Sequence, residues 1–392
     1  MPTITIDKKI EDIKQEVVHW RRELHRHPEL SYDEKNTSQF VYDTLQSFGN
    51  LEITRPTKTS VMARLIGEKP GKTLAIRADM DALPIEEDTG LEFSSNNPGV
   101  MHACGHDGHT AMLLGTAMVL SGLKDQIQGE VRFLFQHAEE HFPGGAKEMV
   151  DAGVMDGVDF VIGAHLMADL EVGKVGIAPG PMMAAADGFW ITVNGKGGHG
   201  GMPHQTVDSI VIGAQVVSNL QHIVSRNTDP LDSVVLSIGK FLGGEAGNVI
   251  SNAVEINGIV RTFDDNISKS MPELMERVVK GITDAHGASY ELRYEHGYRA
   301  VINDEDATKI IEETIREVYG DETVEVIKPK MGAEDFSAFL GSAPGAYFNV
   351  GAGNKEKGLG YPHHHPKFDI DEDALEYGVK VFVHAVFKFL GS

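Results

Sequence analysis

Apolar residues near the start of the chain recur at helical spacing. Ile10, Ile13, Val17, Trp20 and Leu24 fall on one face, which predicts an amphipathic helix over 8–26, ended by His27 and Pro28. The apolar runs then shorten. Residues 60–66 and 73–78 read as strands, 106–122 as a helix, and 130–135 and 159–164 as further strands. Strands alternating with helices predict an α/β sheet with many parallel neighbours.

Near residue 184 the order changes. A strand at 189–194, a helix at 207–225, strands at 233–241 and 254–263, a helix at 267–286 and a strand at 289–296 give β-α-β-β-α-β, the order of a ferredoxin-like sandwich. After residue 300 the α/β character returns, with a helix at 304–318 and a strand near 346–350. The expectation is an α/β domain of residues 1–184 and 296–392, carrying an inserted α+β ferredoxin-like domain at 185–295. The 392 residues exceed the roughly 50–250 of a usual single domain, which agrees with two.

A formal net charge of -23 repels phosphate backbones and anionic membranes, so neither nucleic acid nor membrane is an expected partner. Cys104 is the only cysteine, so no intrachain disulfide forms, as suits a reducing compartment. The first twenty residues contain no apolar signal core, and no run approaches the roughly 18 apolar residues of a spanning helix. These features lead to the expectation of a cytoplasmic protein.

Chemistry-bearing residues gather in four clusters. ArgAlaAspMetAspAlaLeuPro (77–84) and GlnHisAlaGluGlu (136–140) each follow a strand, HisAlaCysGlyHisAspGlyHis spans 102–109, and HisHisHisPro spans 363–366. His165 adds a single ligand candidate after the strand at 159–164. Ligands of open α/β sheets bind beyond the carboxyl ends of strands. Cys104 and His106 stand within reach of one metal, and first-row divalent ions accept thiolate, imidazole and carboxylate together. A lone cysteine is more often an inert buried thiol, but Gly105, His106, Asp107 and His109 around Cys104 favour a ligand. A third reading makes Cys104 a nucleophile with His106 as its base. Of the adjacent Glu139 and Glu140, whose side chains diverge in an extended segment, one binds metal while the other holds a water as general base. Asp81 is read as orienting a ligating histidine through its second ring nitrogen, with His102 and His109 in support. His137, Glu140 and His141 also fit His-x-x-Glu-His, but that mechanism needs a helix, and PheProGlyGly at 142–145 leaves no room for one. At most one or two of His363, His364 and His365 are expected to ligate.

Together these residues resemble the M20 metallopeptidase superfamily, and most closely its amidohydrolase branch: N-acyl-amino-acid amidohydrolases, hippurate hydrolases and auxin-conjugate hydrolases. The resemblance runs through ArgArgGluLeuHisArgHisProGluLeuSer (21–31), the clusters above, GlyGlyHisGlyGlyMetProHis (197–204), GlyGluAlaGlyAsnValIle (244–250), MetGlyAlaGluAspPhe (331–336) and HisHisProLysPheAsp (364–369). It implies a metallopeptidase-like catalytic domain and an inserted lid and dimerisation domain. It implies two divalent ions per subunit (Zn, Mn, Co or Ni) held by Cys104, His106, Glu140, His165 and His364, with His363 the fallback and Cys104 or Glu140 bridging. Glu139 takes the general-base position, and His199 would polarise the scissile carbonyl. Asn248 and Arg261 match positions that meet the substrate carboxylate. The implied activity is hydrolysis of N-acyl amino acids or related small amides by a homodimer or higher homo-oligomer. A dipeptidase or aminopeptidase on the same scaffold, or a non-catalytic metal-binding protein, are the alternatives. His137 stands where the branch usually has Pro.

Overall fold

The computed structural model describes residues 3–391, which cluster into two compact units. The first comprises residues up to Met182, Ile302–Pro329 and those from Asp335 onward; the second comprises Met183–Val301 and Lys330–Glu334. The second unit thus runs past 295 to Val301, and it takes in a short segment that hydrophobic patterning had left with the larger domain.

The first unit is built on an eight-stranded sheet. Its strand order is Glu52–Thr54, Val61–Ile66, Gln128–Gln136, Lys69–Asp79, Phe160–Glu171, Gly345–Gly353, Val175–Ile177, Val324–Val326. The central strands from Gln128–Gln136 to Gly345–Gly353 are parallel, whereas Glu52–Thr54 and Val61–Ile66 pair antiparallel with their inner neighbours. Val175–Ile177 is antiparallel to Gly345–Gly353. The sheet is therefore mixed. Its three-residue strands escaped the sequence reading because so few positions show no period.

The predicted first helix spans Thr3–Arg26 and buries Ile10, Val17, Trp20 and Leu24. It packs with helices His106–Ser121 and Asp373–Gly391 over the sheet. His106–Ser121 is buried along almost its whole length, so it shows no polar stripe. Gly115 lets the first helix approach: a Cβ there would stand 2.8 Å from Val17 Cγ2 and 3.0 Å from Val379 Cγ2.

The second unit has a four-stranded antiparallel sheet in the order Val234–Gly243, Ala253–Thr262, Ala185–Asn194, Ser289–Tyr298. With helices Ser209–His222 and Asp265–His286, this gives the βαββαβ arrangement. Ala185–Asn194 alternates strictly between buried and half-buried positions, so Phe189, Ile191 and Val193 reach a core shared with Val216, Leu220, Met271 and Met275. Asp208 and Asp264 cap the two helices, each accepting two backbone amides of the first turn.

Beneath the carboxyl ends of the central strands, a buried arginine ties the first unit together. Arg77 donates to Gln136 Oε1 (2.6 Å), Asp79 Oδ2 (2.8 Å) and Asp335 Oδ1 (3.0 Å). Asp335 also accepts from Gln136 Nε2 and the Ala146 amide. Removing the guanidinium leaves two buried carboxylates without their counter-charge. Arg77→Met is expected to lower the stability of the chain by about 3–5 kcal/mol, read from denaturant unfolding; a loss below about 1 kcal/mol, the level of an exposed ion pair, would contradict a structural role for this pair.

Candidate metal centre

Three bends of the chain and one strand supply the candidate residues. Gly105, at φ 91°, caps helix His106–Ser121 and turns the chain between Cys104 and His106. His165 lies within strand Phe160–Glu171, opposite Asn349, rather than after a strand that stops at 164. Glu139 and Glu140 follow Gln128–Gln136, but the segment is not extended. Ala138 is left-handed (φ 50°) and bends the chain, so both carboxylates point to the same place. His364 is also left-handed (φ 65°), its amide tied to the Ala103 carbonyl at 2.8 Å.

The structure brings together all five ligand candidates and the candidate base. Donor atoms of Cys104, His106 and His165 lie within 4.8 Å of one another, as do those of Cys104, Glu140 and His364, and those of His106, Glu139 and Glu140. His363 turns elsewhere: its Nε2 meets the Leu166 carbonyl at 2.9 Å, which favours His364 over the fallback. Residues 137–144 contain no helix, and His137 Nε2 engages Glu148 at 3.1 Å, so the His-x-x-Glu-His spacing does not form its motif.

The ring nitrogens are suited to ligation. His106 Nδ1 donates to the Asp81 carbonyl (3.0 Å) and lies 3.3 Å from Asp81 Oδ1, leaving Nε2 buried with no hydrogen-bond partner. His165 Nδ1 donates to the Leu166 carbonyl at 2.8 Å, and its Nε2 faces Cys104 Sγ at 3.5 Å. Glu140 Oε1 has no well-directed hydrogen bond, although His364 Nε2 is 3.2 Å and His106 Nε2 3.9 Å away. Buried donors and acceptors are ordinarily paired. Partnerless imidazole and carboxylate atoms of His106 and Glu140, beside the Cys104 thiol, fit a first-row divalent cation.

The electrostatics agree. Burial opposes charge on His106, but Asp79, Asp81 and Glu140 outweigh it and raise the ring to about 10. Burial first, then Glu140, Glu139 and Asp79, push the Cys104 thiol well up. Burial and the neighbouring imidazoles hold His165 down. A thiol so disfavoured as a free anion, whose hydrogen-bond partner is His165, suits a metal ligand better than a nucleophile activated by His106.

Asp81 does more than orient His106. Its Oδ1 accepts the Glu139 amide and its Oδ2 the Glu140 amide, both at 3.0 Å, while Ser31 Oγ donates to Oδ2 at 2.6 Å. Its charge is kept despite burial because these donors and His106 favour the anion. Asp79 takes His109 instead. Because the Leu166 amide donates to His109 Nε2 (2.9 Å), Nδ1 must carry the proton it gives to Asp79 Oδ1 (2.6 Å). Both nitrogens of His109 are thus used, and it supports without ligating. His102 differs from its expected supporting role. Its ring is buried with neither nitrogen hydrogen-bonded, and burial pushes it down to about 4.

Three anchoring residues, Glu34, Arg21 and His25, were missed in the sequence. Glu34 is fully buried and accepts the Ala138 amide at 2.8 Å; burial and nearby Asp81 push its carboxyl up to about 7. Arg21 and His25 of the first helix both bond Asp107 Oδ2 at 2.8 Å, fixing the residue after His106. Only the resemblance over 21–31 drew notice to that segment; no local pattern marks it.

The remaining candidates lie in the second unit. His199 sits opposite Val249 in a two-stranded ladder, and Gly200 bonds the Asn248 carbonyl at 2.8 Å, so His199 and Asn248 are neighbours. The Gly201 amide donates to His199 Nδ1 at 2.9 Å, which leaves Nε2 as the N–H of a neutral, exposed ring. Arg261 stands on the four-stranded sheet opposite Ala186 and Val235, its charge opposed by burial and favoured by Asp187.

Asp81→Asn keeps the side chain's shape but sets an amide against the two backbone donors. It is expected to weaken metal binding by about 10–100-fold, measured by calorimetric titration of stripped protein with Zn²⁺. Affinity equal to wild type would show that Asp81 does not hold the cluster.

Residues 75–388 match the model of peptidase family M20/M25/M40. The chain is 67% identical over 298 residues to an N-acyl-L-amino acid amidohydrolase of Geobacillus stearothermophilus, covering 76% of this chain and 80% of the relative. It is 40% identical to an N-acetylcysteine deacetylase of Bacillus subtilis, covering 93% and 94%. A Bacillus subtilis crystal structure described as a dinuclear metal-binding peptidase of family M20 superposes with a TM-score of 0.85 at 35% identity, covering 97% of this chain and 99% of that one. With that family model running through both units, this chain belongs to peptidase family M20/M25/M40 and is a hydrolase of that family.

Proposed function

We propose that this chain hydrolyses the amide bond of N-acyl amino acids or related small amides, with two divalent ions and Glu139 as general base. The observation that carries this reading is the place of Glu139. Its carboxylate is buried within 4.8 Å of the donor atoms of His106 and Glu140, on a backbone pinned by Asp81. It is therefore poised beside the ligand cluster while five other side chains suffice to hold the ions. Cys104, His106, Glu140, His165 and His364 would bind them. The mixed sulfur, nitrogen and oxygen set suits Zn, Mn, Co or Ni.

Such ions, when bound, would supply Lewis acidity to the scissile carbonyl and would lower the pKa of the attacking water from ~15.7 toward ~7. Glu139 takes the proton from the attacking water and returns it to the leaving amine. Negative charge grows on the former carbonyl oxygen, for which His199 offers its Nε2–H. Asn248 and Arg261 are assigned to the substrate carboxylate. The amidohydrolase and deacetylase names of the relatives support acyl amino acids as substrates. The family resemblance supports a homodimer, the second unit serving as lid and dimerisation domain, and the lone thiol suits the reducing cytoplasm.

Glu139→Gln is expected to keep its metal and lose about 10²–10⁴-fold in kcat on an N-acetyl amino acid. A wild-type rate would sink the assignment, and a wild-type protein that cleaves dipeptides but no N-acetyl or N-benzoyl amino acid would replace the substrate reading with a peptidase. His199→Ala is expected to lower kcat by about 10²-fold with metal content unchanged, the usual worth of an oxyanion donor; unaltered turnover would remove His199 from the mechanism.

A further inference from the structure

Among the described residues, only four non-glycine residues have a positive φ: Tyr32, Asn50, Ala138 and His364. Left-handed backbone is disfavoured for a residue with a Cβ, and it persists only where surrounding structure enforces it. Asparagine adopts it readily, which accounts for Asn50. Alanine has no polar side chain with which to hold itself there, and Ala138 is fully buried.

What holds Ala138 is Glu34. Its Oε1 accepts two amides at once, from Ala138 at 2.8 Å and from Tyr32 at 2.9 Å. Both donors are left-handed residues. Oε2 is anchored by Thr59 Oγ1 at 2.9 Å, in a site with no solvent exposure. The Ala138 carbonyl is held too, accepting the Gly145 amide at 3.0 Å. The next two amides along the chain, of Glu139 and Glu140, go to Asp81. Three successive N–H groups are thus captured by two buried carboxylates. Asp81 fixes the two glutamates directly, and Glu34 fixes the bend that delivers them.

We infer that Glu34 is a positioning residue for the hydrolytic reaction: it clamps Ala138 in its left-handed turn and so aims Glu139 and Glu140 at the reacting centre. Glu34 acts entirely through the backbone. The inference rests on the roles proposed for Glu139 and Glu140, and its test separates them, since kcat reports the base and cation affinity reports the ligand.

The test compares Glu34→Ala, Glu34→Gln and the double variant Glu34→Ala/Ala138→Gly. Each is assayed for kcat and KM on an N-acetyl amino acid and, after stripping, for Co²⁺ affinity by calorimetry, with far-UV circular dichroism to report folding. Glu34→Ala is expected to lower kcat by about 10–100-fold and Co²⁺ affinity by about 10-fold, with KM within about threefold of wild type, because a displaced base acts on the chemical step. Glu34→Gln keeps an oxygen for the two amides and turns its NH₂ toward Thr59, so it should retain most activity. In the double variant, glycine adopts the turn without strain, so about tenfold or more of the lost kcat should return. A merely structural carboxylate would give the same loss whether residue 138 is alanine or glycine. That result, wild-type kcat and Co²⁺ affinity in Glu34→Ala, or a glutamine variant as defective as alanine, would each overturn the inference. Should Glu34→Ala fail to fold, Glu34→Asp, which withdraws the carboxylate by one methylene, carries the same comparison with and without Ala138→Gly. If Glu139→Gln proves fully active, the base assignment falls, and the Co²⁺ titrations still decide whether Glu34 positions Glu140.

Discussion

The site depends on one buried anion receiving consecutive backbone amides. Asp81 has almost no solvent exposure, and a lone carboxylate there would carry a large desolvation penalty. The penalty is offset because the amides of Glu139 and Glu140, the hydroxyl of Ser31 and the ring of His106 converge on it. The same bonds that satisfy Asp81 fix two carboxylates and one imidazole relative to each other. Ala138 must turn left-handed for this to happen, at a cost of roughly 1–2 kcal/mol for a residue with a Cβ. Strained backbone of this kind recurs at functional sites.

The charge balance explains why such a cluster favours a cation. Asp79, Asp81, Glu139 and Glu140 crowd the space around Cys104 and His106. Without positive charge, the thiol is held protonated and His106 is driven to about 10, so protons carry the compensation. Divalent ions binding at Cys104 Sγ and His106 Nε2 would displace those protons and supply the missing charge. The outer supports are then understandable as one system. Asp81 fixes His106, Asp79 fixes His109, and Arg77 keeps Asp79 and Asp335 neutralised beneath them.

What was legible in the sequence follows from what is local. Amphipathic spacing marked the first helix, and β-branched and aromatic runs marked the central strands, because each shows its period within a few turns or residues. Cys104 and His106 announced themselves by spacing, and Asp81 by its place after a strand. The mixed character of the sheet was hidden, since a strand's period does not give the direction of its neighbour: Val61–Ile66 reads as a strand, but its antiparallel pairing with Gln128–Gln136 is set only by the fold. The bend at Ala138 was hidden more deeply. Nothing in GlnHisAlaGluGlu signals a left-handed alanine, because its cause, Glu34, lies over a hundred positions away and is seen only once the chain has folded. Separations of 86 and 82 positions likewise concealed Arg21 and His25 behind Asp107. His102 misled in the opposite way: its neighbours in sequence suggested a supporting role, yet its ring bonds to nothing.

The claim on which all of this turns is that Cys104, His106, Glu140, His165 and His364 hold a pair of ions beside Glu139. Anomalous diffraction from crystals of the Mn²⁺-loaded or Zn²⁺-loaded protein addresses it most directly. The account predicts two peaks about 3.5–4 Å apart, enclosed by those five side chains, with the Glu139 carboxylate free of both. No peak at this cluster, or ions held by His102, His109 or His363 in place of the five, would contradict it.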